Sequence, residues 1–565
     1  MPFTTRPLIG GSRHVVSAGH PLAAAAAFAI LEAGGNAVDA GCAAGIALGV
    51  LQPDLVSVAG VAPIMIRPAN GEVVTIDGLG VWPAALPERH FMDVRGGVIP
   101  AGVERIVVPA AIDAWLTALE MHGSMSFSDV AAAAARYARE GYPAHAPMIE
   151  TIETKRAGYE RWPSNVAIFL RDGRPPRVGE RFVQTDLANT LDRLCAAERK
   201  ADGDRLAGLA SVRRAFYQGD IARELVAFVR AEGGFLSEDD LANFRCRVEP
   251  PVAIDWMGRR LYVCGPWCQG PMLAMALRQV EERGLSDLAH NSLDYVHVIV
   301  EILNNAFADR EHHFGDPRFV DVPLERLLSR EHARARLAQI DPDRARGEMP
   351  GPIIGPDGAD LSALPREDHQ PALDTSYVCV IDRFGNAFSA TPSDGTYDMP
   401  IAPGLGFAAS SRGSQSRPDP DHPAGARAGR RPRLTPNAAM LVSGEDVMCL
   451  GTPGGDVQNQ AVLQTLLNHV HFGMSLQQAL DAPRFATFNF PGSFSPFVYN
   501  PGAVNVEEGV GPETIAALKA MGHAASVWTA YEWQAGSVCI VASDKANGLV
   551  FGAADPRRAS YSIAG

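Results

Sequence analysis

A short apolar segment that begins just after a threonine constrains the fold of this chain more than any other part of its sequence. Residues Tyr377–Ile381 carry β-branched and aromatic side chains, which are typical of a buried strand, and Thr375 stands shortly before them. The segment Phe384–Asn386 follows with the Gly-Asn chemistry of a tight turn. Taken alone, this pattern predicts a plain β-hairpin and gives the threonine no chemical role.

The composition predicts a large globular protein that does not bind polyanions. The chain has 565 residues, of which 47% are hydrophobic, so it can bury a large core. Its formal net charge of −14 argues against nucleic acid or an anionic membrane as a partner. The apolar run Leu22–Leu31 continues into the polar segment Glu32–Asn36, as a helix of a globular domain does, and no apolar stretch reaches transmembrane length. We therefore expect a cytoplasmic protein.

The cysteines predict neither a disulfide framework nor a metal site. All eight are scattered along the chain without regular spacing. Cys264 and Cys268 have the wrong spacing for a redox motif and lack the second pair that a zinc site needs. We expect reduced thiols, most of them in the core, and interpret Cys264–Cys268 as a segment of core packing.

Several helices and a further strand are predicted around the Thr375 segment. Apolar periodicity and capping residues predict helices at Pro21–Glu32, at Ala37–Leu51 and at Leu293–Glu311. Residues 110–145 are rich in alanine and are also predicted to be helical. Alternation in Gly71–Asp77 predicts a strand.

Two segments rich in proline, glycine and arginine are predicted to be loops. Residues 341–372 have few apolar runs, are expected to be mobile and end directly before Asp374 and Thr375. The segment Ser410–Arg433 has two interpretations, a solvated surface loop or a lid over an anionic substrate. Its end, Arg431–Arg433, also fits an exposed turn. The arginines of this second segment are Arg412, Arg417, Arg427, Arg430, Arg431 and Arg433.

A glycine-rich segment downstream of the threonine changes the interpretation of the hairpin. Gly451–Asp456 reads Gly-Thr-Pro-Gly-Gly-Asp, which alone indicates no more than a tight turn. Together with Asp374–Ile381 it resembles the small-subunit half of the γ-glutamyltransferase (γ-glutamyltranspeptidase) family. Further matches agree with the family in order and spacing along nearly the whole chain: Glu32–Ala40, Phe307–Arg310, Gly315–Pro317, Phe319–Pro323 and Asp555–Arg558.

The resemblance implies a fold, a maturation step and a reaction. Members of this family are N-terminal-nucleophile (Ntn) hydrolases with an α/β (α+β) fold, a four-layer αββα sandwich, whose precursor cuts itself before a threonine. The implied large subunit is 1–374, with a linker at 341–374, and the small subunit is 375–565. The implied reaction is amide cleavage through an acyl-enzyme, with no cofactor and no metal. A cytoplasmic location would differ from that of the secreted or periplasmic members.

The chemistry of such a site explains why a threonine is needed. A threonine hydroxyl is a poor nucleophile until a base takes its proton. Cleavage between Asp374 and Thr375 would give Thr375 a free α-amine, whose reference pKa is roughly 7.7–8.0, and this amine can act as the base beside its own Oγ. Successive glycines suit an oxyanion hole because they allow backbone N–H groups to face one side.

The resemblance assigns roles to individual positions. Thr375 falls on the nucleophile and Ser393 on the second hydroxyl that supports it. Gly454 and Gly455 fall on the oxyanion-hole glycines, and Asp374 falls on the residue before the cut.

The substrate-binding positions depart from the family pattern. Leu79 stands where the family has an arginine that clamps the substrate α-carboxylate, and Gln415 stands where an aspartate binds the glutamyl amine. Thr435 falls in the small-hydroxyl pair before a proline, and Arg412 is a candidate for a rebuilt clamp. Loss of the bidentate clamp together with the ammonium partner should cost several kcal/mol of glutamyl recognition. We therefore expect an amidohydrolase of the glutaryl- or cephalosporin-acylase or oxamate-hydrolase kind, acting on a small carboxylate-bearing amide.

Three alternatives stay open at this point. The first is a true γ-glutamyl hydrolase or transpeptidase, and the second is an inactive member that serves as a binding or scaffold protein. The third is a metalloenzyme that uses His297 and Glu301, which share a helix face, although HExxH spacing is absent. Hydrolysis against transfer, and assembly of the two subunits into a further oligomer, are also left open.

Overall fold

The computed structural model describes residues 4–355, 361–362, 364–366 and 374–565. These residues form a mixed α/β structure in which runs of helices separate groups of strands. The strands are β1 Ile9–Gly11, β2 Val15–Ala18, β3 Ile64–Arg67, β4 Val74–Ile76, β5 Tyr142–Pro143, β6 Arg181–Phe182, β7 Val248–Glu249, β8 Val252–Trp256, β9 Arg259–Val263, β10 Val378–Ile381, β11 Ala387–Ala390, β12 Ala439–Ser443, β13 Asp446–Gly451, β14 Phe485–Thr487, β15 Ala503–Glu507, β16 Ala524–Trp528, β17 Cys539–Asp544, β18 Leu549–Ala554 and β19 Tyr561–Ala564.

The helices fall mainly between β4 and β10 and around β13. They are α1 Pro21–Glu32, α2 Ala37–Leu51, α3 His90–Asp93, α4 Ala111–His122, α5 Phe127–Glu140, α6 Ala146–Thr154, α7 Arg156–Tyr159, α8 Pro163–Phe169, α9 Thr185–Arg199, α10 Arg205–Tyr217, α11 Asp220–Ala231, α12 Glu238–Ala242, α13 Gly270–Arg283, α14 Leu293–His313, α15 Leu324–Leu327, α16 Arg330–Leu337, α17 Gln458–Leu466, α18 Leu476–Asp481 and α19 Pro512–Ala520. Among the described residues, no helix is both long enough and apolar enough to span a bilayer.

Two seven-stranded antiparallel sheets form the centre of the fold. The first has the strand order β1-β18-β17-β13-β12-β9-β8, and the second has the order β19-β2-β10-β11-β3-β4-β7. Strands from the beginning and the end of the chain thus pair in both sheets. Such non-local pairing fixes the residues after Thr375 against the residues before it.

The two sheets lie face to face between layers of helices. Met65 and Cys379 of the second sheet form one buried apolar cluster with Cys449 and Val541 of the first. The outer face of the second sheet packs against α1, α2 and α4, and that of the first packs against α13 and α17; α5 lies over α2, and α14 lies over α13. This order of layers is the predicted four-layer αββα sandwich.

Strand β10 lies in the middle of its sheet, and both of its faces are buried. Val378 and Val380 contact the helical layer, whereas Cys379 and Ile381 contact the opposite sheet. Burial on both faces explains why the segment is apolar throughout instead of alternating. β10 and β11 form the predicted hairpin, with Gly385 in its turn at φ 89°.

The predicted helices agree closely with the structure. Pro21–Glu32 and Ala37–Leu51 have the predicted bounds, and Asn36 caps the second through a capping box. Helix α14 extends slightly beyond its prediction to His313. The predicted strand Gly71–Asp77 is shorter, because only Val74–Ile76 pairs with its neighbours.

The cysteines and part of the first loop can also be compared with their predictions. All eight cysteines are buried free thiols, and Cys264–Cys268 belongs to the core, as predicted. In the predicted loop 341–372, residues 341–355 contain neither helix nor strand. The parts at 356–360, 363 and 367–372 lie outside the described residues.

The end of β13 contacts the residues that lead into β10. A Cβ on Gly451 would lie 2.3 Å from Cε2 of Tyr377, so the glycine allows the two segments to approach closely. This contact holds the end of β13 against the residues that follow Thr375, although the two segments are far apart in sequence.

Replacing Gly451 by alanine is therefore expected to lower the free energy of unfolding by about 1–3 kcal/mol, because the added methyl overlaps the buried Tyr377 ring. The measurement is the midpoint of urea-induced unfolding, which should fall while the dependence of the unfolding free energy on urea concentration stays unchanged. Gly351→Ala is the matched control, because no atom lies within 4 Å of an added Cβ there. Equal midpoints for the two variants would contradict this packing.

Candidate active site

Thr375 lies fully buried at the entrance to β10 in a strained conformation. Its backbone N–H donates to the carbonyl of Leu55 at 2.8 Å, and the next N–H, of Ser376, donates to Pro392 at 2.9 Å. The φ angle of Thr375 is 87°, which a β-branched residue rarely adopts. Conformations of this kind cost about 1–3 kcal/mol and persist only where surrounding contacts hold them. The strain therefore lies on the Asp374–Thr375 peptide unit.

The hydroxyl of Thr375 belongs to a directed series of hydrogen bonds. Arg412 has only donors, and its Nη2 donates to Ser393 Oγ. Ser393 Oγ lies 2.6 Å from Thr375 Oγ1, which in turn donates to Asp374 Oδ1 at 3.1 Å. Both hydroxyl groups have an acceptor when Ser393 donates to Thr375 and Thr375 donates to Asp374. In this arrangement the Thr375 proton faces a carboxylate.

Arg412 is held between two carboxylates in the interior. The side chain is 0% exposed; its Nη1 forms an ion pair with Asp374, and its Nε lies 3.0 Å from Asp394. Burial acts to lower the pKa of the Arg412 guanidinium, but Asp374 and Asp394 outweigh it and raise the pKa. Asp394 accepts further hydrogen bonds from Ser410 and Ser411, so that side of the guanidinium is anchored.

The Asp374 carboxyl is a stronger base than an ordinary aspartate. It is buried beside Asp394, and burial is the main reason that its pKa is raised; the positive charge of Arg412 opposes the shift. Arg412 therefore stabilises the ionised carboxylate of Asp374, while burial makes this carboxylate more basic.

Gly454 and Gly455 have a backbone conformation that favours glycine. Gly454 and Gly455 follow β13 with φ angles of 124° and 55°, both in the region that favours glycine. Gln269 Nε2 donates to the carbonyl of Gly455 at 3.0 Å, so the turn is held from α13's side. Asp456 lies in the short turn directly before α17 and forms a buried ion pair with Arg310.

Gln415 and Thr435 contact each other. Gln415 Nε2 donates to Thr435 Oγ1 at 2.8 Å, and Gln269 Nε2 donates to the Thr435 carbonyl at 2.8 Å. Gln269 therefore joins this pair to Gly455. Because Gln415 follows Arg412 in one 3₁₀ turn, the predicted site residues form one connected region.

The interpretation of Ser410–Arg433 as a solvated loop is wrong, and so is that of Arg431–Arg433 as an exposed turn. Arg417 and Arg433 share the Glu311 carboxylate at 2.7 and 2.8 Å. The buried arginines of the segment are Arg412, Arg417, Arg430, Arg431 and Arg433, whereas Arg427 is half exposed. Charges can occupy the interior because each guanidinium has a nearby carboxylate or carbonyl.

The position of the missing family arginine lies in the apolar core. Leu79 is 1% exposed and belongs to the cluster between the two sheets. Asp77, at the start of the same segment, is paired instead with Arg431 at 2.9 Å, and burial raises its pKa to about 6. Position 79 therefore carries no cation, and the nearby Arg431 guanidinium forms a buried ion pair with Asp77.

A possible metal-ligand group lies elsewhere. His297, Glu301 and His523 place one ligand atom each within 4.8 Å of one another. His297 Nδ1 lies 2.9 Å from His523 Nε2, and His297 Nε2 lies 2.8 Å from the Asp341 carbonyl. These direct hydrogen bonds account for the histidines, and the group shares no residue with the Thr375 site. Sequence analysis missed His523, because nothing near it has ligand spacing.

Asp394 and Leu55 were also missed. Asp394 directly follows Ser393, but neither its φ of 101° nor its contact with Arg412 can be predicted from the sequence. Leu55 takes part through its carbonyl, which any residue could supply. It also borders a cavity of about 230 Å³ whose walls include Trp533 and Arg558.

This chain is similar to known proteins in both sequence and structure. The family model described as Gamma-glutamyltranspeptidase matches residues 23–565. The glutathione hydrolase-like YwrD proenzyme of Bacillus subtilis is 29% identical over 551 residues, which cover 97% of this chain and 97% of the relative. The acylase ACY 1 proenzyme of a Pseudomonas strain is 32% identical over 530 residues, covering 91% and 87%. The crystal structure of cephalosporin acylase from Bacillus halodurans has a TM-score of 0.84 at 28% identity, covering 100% and 98%.

Replacing Glu311 by glutamine is expected to destabilise the protein by about 3–5 kcal/mol at neutral pH, because Arg417 and Arg433 lose a buried carboxylate. Burial acts to raise the pKa of Glu311, but these arginines outweigh it and hold the pKa well below its usual 4.5. A depressed folded-state pKa gives stability that is complete above the unfolded value and is lost as pH falls below it. The Glu311→Gln deficit should therefore shrink as pH falls below about 4.5.

The measurement is the free energy of unfolding in urea between pH 3.5 and 7 for the parent and the variant. Glu325→Gln, at an exposed position of α15, is the matched control and should stay within about 0.5 kcal/mol of the parent. A pH-independent deficit for Glu311→Gln would contradict the ion-pair assignment.

Proposed function

The chain belongs to the γ-glutamyltranspeptidase family of N-terminal-nucleophile hydrolases, and we propose that it is a self-processing amidohydrolase with Thr375 as its nucleophile. The observation that carries this proposal is the buried Thr375 hydroxyl, 2.6 Å from Ser393 and hydrogen-bonded to Asp374, on a strained peptide unit. A structural threonine needs neither the strain nor the two polar partners. The proposal also rests on the position of the glycine turn after β13.

The first proposed step is cleavage of the chain before Thr375. Thr375 Oγ attacks the carbonyl carbon of Asp374 while its proton passes to the Asp374 carboxylate and then to the departing nitrogen. The C–N bond breaks and an ester forms. Water then cleaves the ester, which restores the hydroxyl and leaves a carboxylate on Asp374. The products are chains 1–374 and 375–565.

The second proposed step is turnover by the new N-terminus. Thr375 Oγ attacks the substrate amide carbonyl, and the free α-amine takes its proton. The amine of the substrate leaves with that proton, and water, activated by the same α-amine, releases the acid. Ser393 orients the nucleophile, and the N–H groups of Gly454 and Gly455 stabilise the oxyanion. No metal or cofactor is needed in this sequence of steps.

The amide substrate proposed here carries a carboxylate on its acyl group. Two observations favour this class over γ-glutamyl compounds: Leu79 lies in the apolar core, and Gln415 is engaged with Thr435. Arg412 is the cation beside the proposed nucleophile. Similarity to both an acylase and a glutathione hydrolase-like relative keeps γ-glutamyl turnover as the alternative. Comparing a γ-glutamyl anilide with non-amino acyl anilides discriminates between them.

Thr375→Ala is expected to abolish both self-cleavage and amide turnover, because it removes the attacking oxygen. Ser393→Ala should slow both by about 10-fold or more, because the oriented hydrogen bond is lost. The measurements are denaturing electrophoresis with intact mass, followed by anilide hydrolysis. The parent should give two fragments that meet at Asp374 and Thr375.

Thr391→Ala is the matched control for these variants. Its hydroxyl is also buried, but it donates to the Asn437 carbonyl at 3.1 Å and not to Thr375. This variant should still yield two fragments. An uncut parent, or a Thr375→Ala protein that is cut normally, would overturn the proposed function.

A further inference from the structure

Building on the proposed function, we infer that Arg412, which also donates to Ser393, forms a subsite for a carboxylate on the acyl group, two carbons from the scissile carbonyl. The preferred substrates are then amides of succinyl-type acyl groups. The subsite is visible because, in the uncut chain, the side chain of Asp374 already occupies it.

Asp374 is itself the acyl part of the bond that the proposed cleavage breaks. Its carbonyl is the group attacked by Thr375, and its side-chain carboxylate contacts both Arg412 and the Thr375 hydroxyl. Only Cα and Cβ separate these two groups, as in a succinyl chain. The ester formed during self-cleavage has the same linkage as the proposed acyl-enzyme. The uncut chain therefore displays how an acyl group fits beside Thr375.

The electrostatics of the subsite favour release of Asp374 after cleavage. Cleavage places a second carboxylate on Asp374, and Asp394 already lies 3.0 Å from Arg412. The new carboxylate is separated from the side-chain carboxylate of the same residue by only Cα and Cβ, so the two like charges repel each other at short range. Asp394 is held by Ser410 and Ser411, so Asp374 is the group that leaves.

Departure of Asp374 leaves a guanidinium edge that requires an anion. Arg412 is 0% exposed, and Asp394 still pairs with its Nε. The Nη1 edge that Asp374 occupied is left without an anion, which is unfavourable for a buried charge. A carboxylate of the substrate restores the ion pair, whereas an uncharged acyl chain leaves it unmade. Because Asp394 fixes the other side of the guanidinium, the distance from Thr375 to the subsite selects chain length.

The first test compares anilides that differ only in the acyl group, using the purified, self-cleaved protein. The series is malonyl, succinyl, glutaryl, butanoyl and γ-glutamyl p-nitroanilide; butanoyl is succinyl with its carboxylate replaced by methyl. We expect kcat/KM for succinyl to exceed malonyl and glutaryl by about 10-fold and butanoyl by about 100-fold or more.

The outcomes separate this inference from the proposed function. Equal or faster turnover of butanoyl or glutaryl anilide overturns the subsite and leaves the Thr375 hydrolase intact. A protein that cuts itself but hydrolyses none of the series also overturns the subsite. A protein that neither cuts itself nor hydrolyses any anilide overturns the proposed function, and the subsite with it.

The second test assigns the preference to Arg412. Arg412→Lys should lower the succinyl-to-butanoyl ratio by about 10-fold, because an ammonium cannot hold Ser393, Asp394 and a carboxylate in one plane. A purely structural effect would slow both substrates alike and leave the ratio unchanged, which would overturn the assignment. Arg417→Lys, a buried arginine paired with Glu311, is the matched control and should keep the parent ratio.

If Arg412→Lys fails to fold or to cut itself, Asp374→Glu provides the remaining readout. The added carbon moves the carboxylate away from Arg412, so self-cleavage should slow by about 10-fold relative to the parent. The half-time is followed by denaturing electrophoresis after purification at low temperature. Self-cleavage of Asp374→Glu at the parent rate would show that chain length is not selected and would overturn the inference.

Discussion

Face-to-face packing of the two seven-stranded sheets is the constraint on which the candidate site depends. Because β10 is apolar on both faces, it lies in the middle of its sheet and brings Thr375 to the edge of the inter-sheet layer. β13 of the other sheet ends opposite this point, where Gly451 lets the chain pass the Tyr377 ring. Burial of the apolar strands thus brings together the segment at Thr375 and the segment that follows β13.

Placing polar segments in such a position requires internal neutralisation of charge. Arg310 pairs with Asp456, Arg431 pairs with Asp316, and Arg417 and Arg433 share Glu311. The charged residues of the family-like motif around residues 309–316 therefore hold the arginine-rich segment and the glycine turn in place. Buried pairs of this kind add little net stability over apolar residues, but removal of either member is costly. Their main effect is to fix where the segments around Thr375 lie.

The sequence predicts local structure well and buried charge poorly. The bounds of α1 and α2 follow from apolar periodicity and capping residues, and the β10–β11 hairpin follows from its turn residues. Ser410–Arg433 was misjudged because its composition is that of a solvated loop, while its carboxylate partners lie more than a hundred residues away. The positive φ of Thr375 has no sequence signal, since β-branched residues normally avoid it.

The strain at Thr375 bears on why the chain would be cut there and not at another buried threonine. The φ angle is a torsion about N–Cα that is defined by the preceding carbonyl carbon, so it exists only while Asp374 is attached. In the proposed cleavage this constraint disappears with the bond, and about 1–3 kcal/mol of backbone strain is released into the step. Contacts that outlast the cut, such as that between Ser393 and Thr375, keep the hydroxyl in place. The same fold can therefore strain the uncut chain and, after the proposed cleavage, hold the proposed nucleophile without rearranging its core.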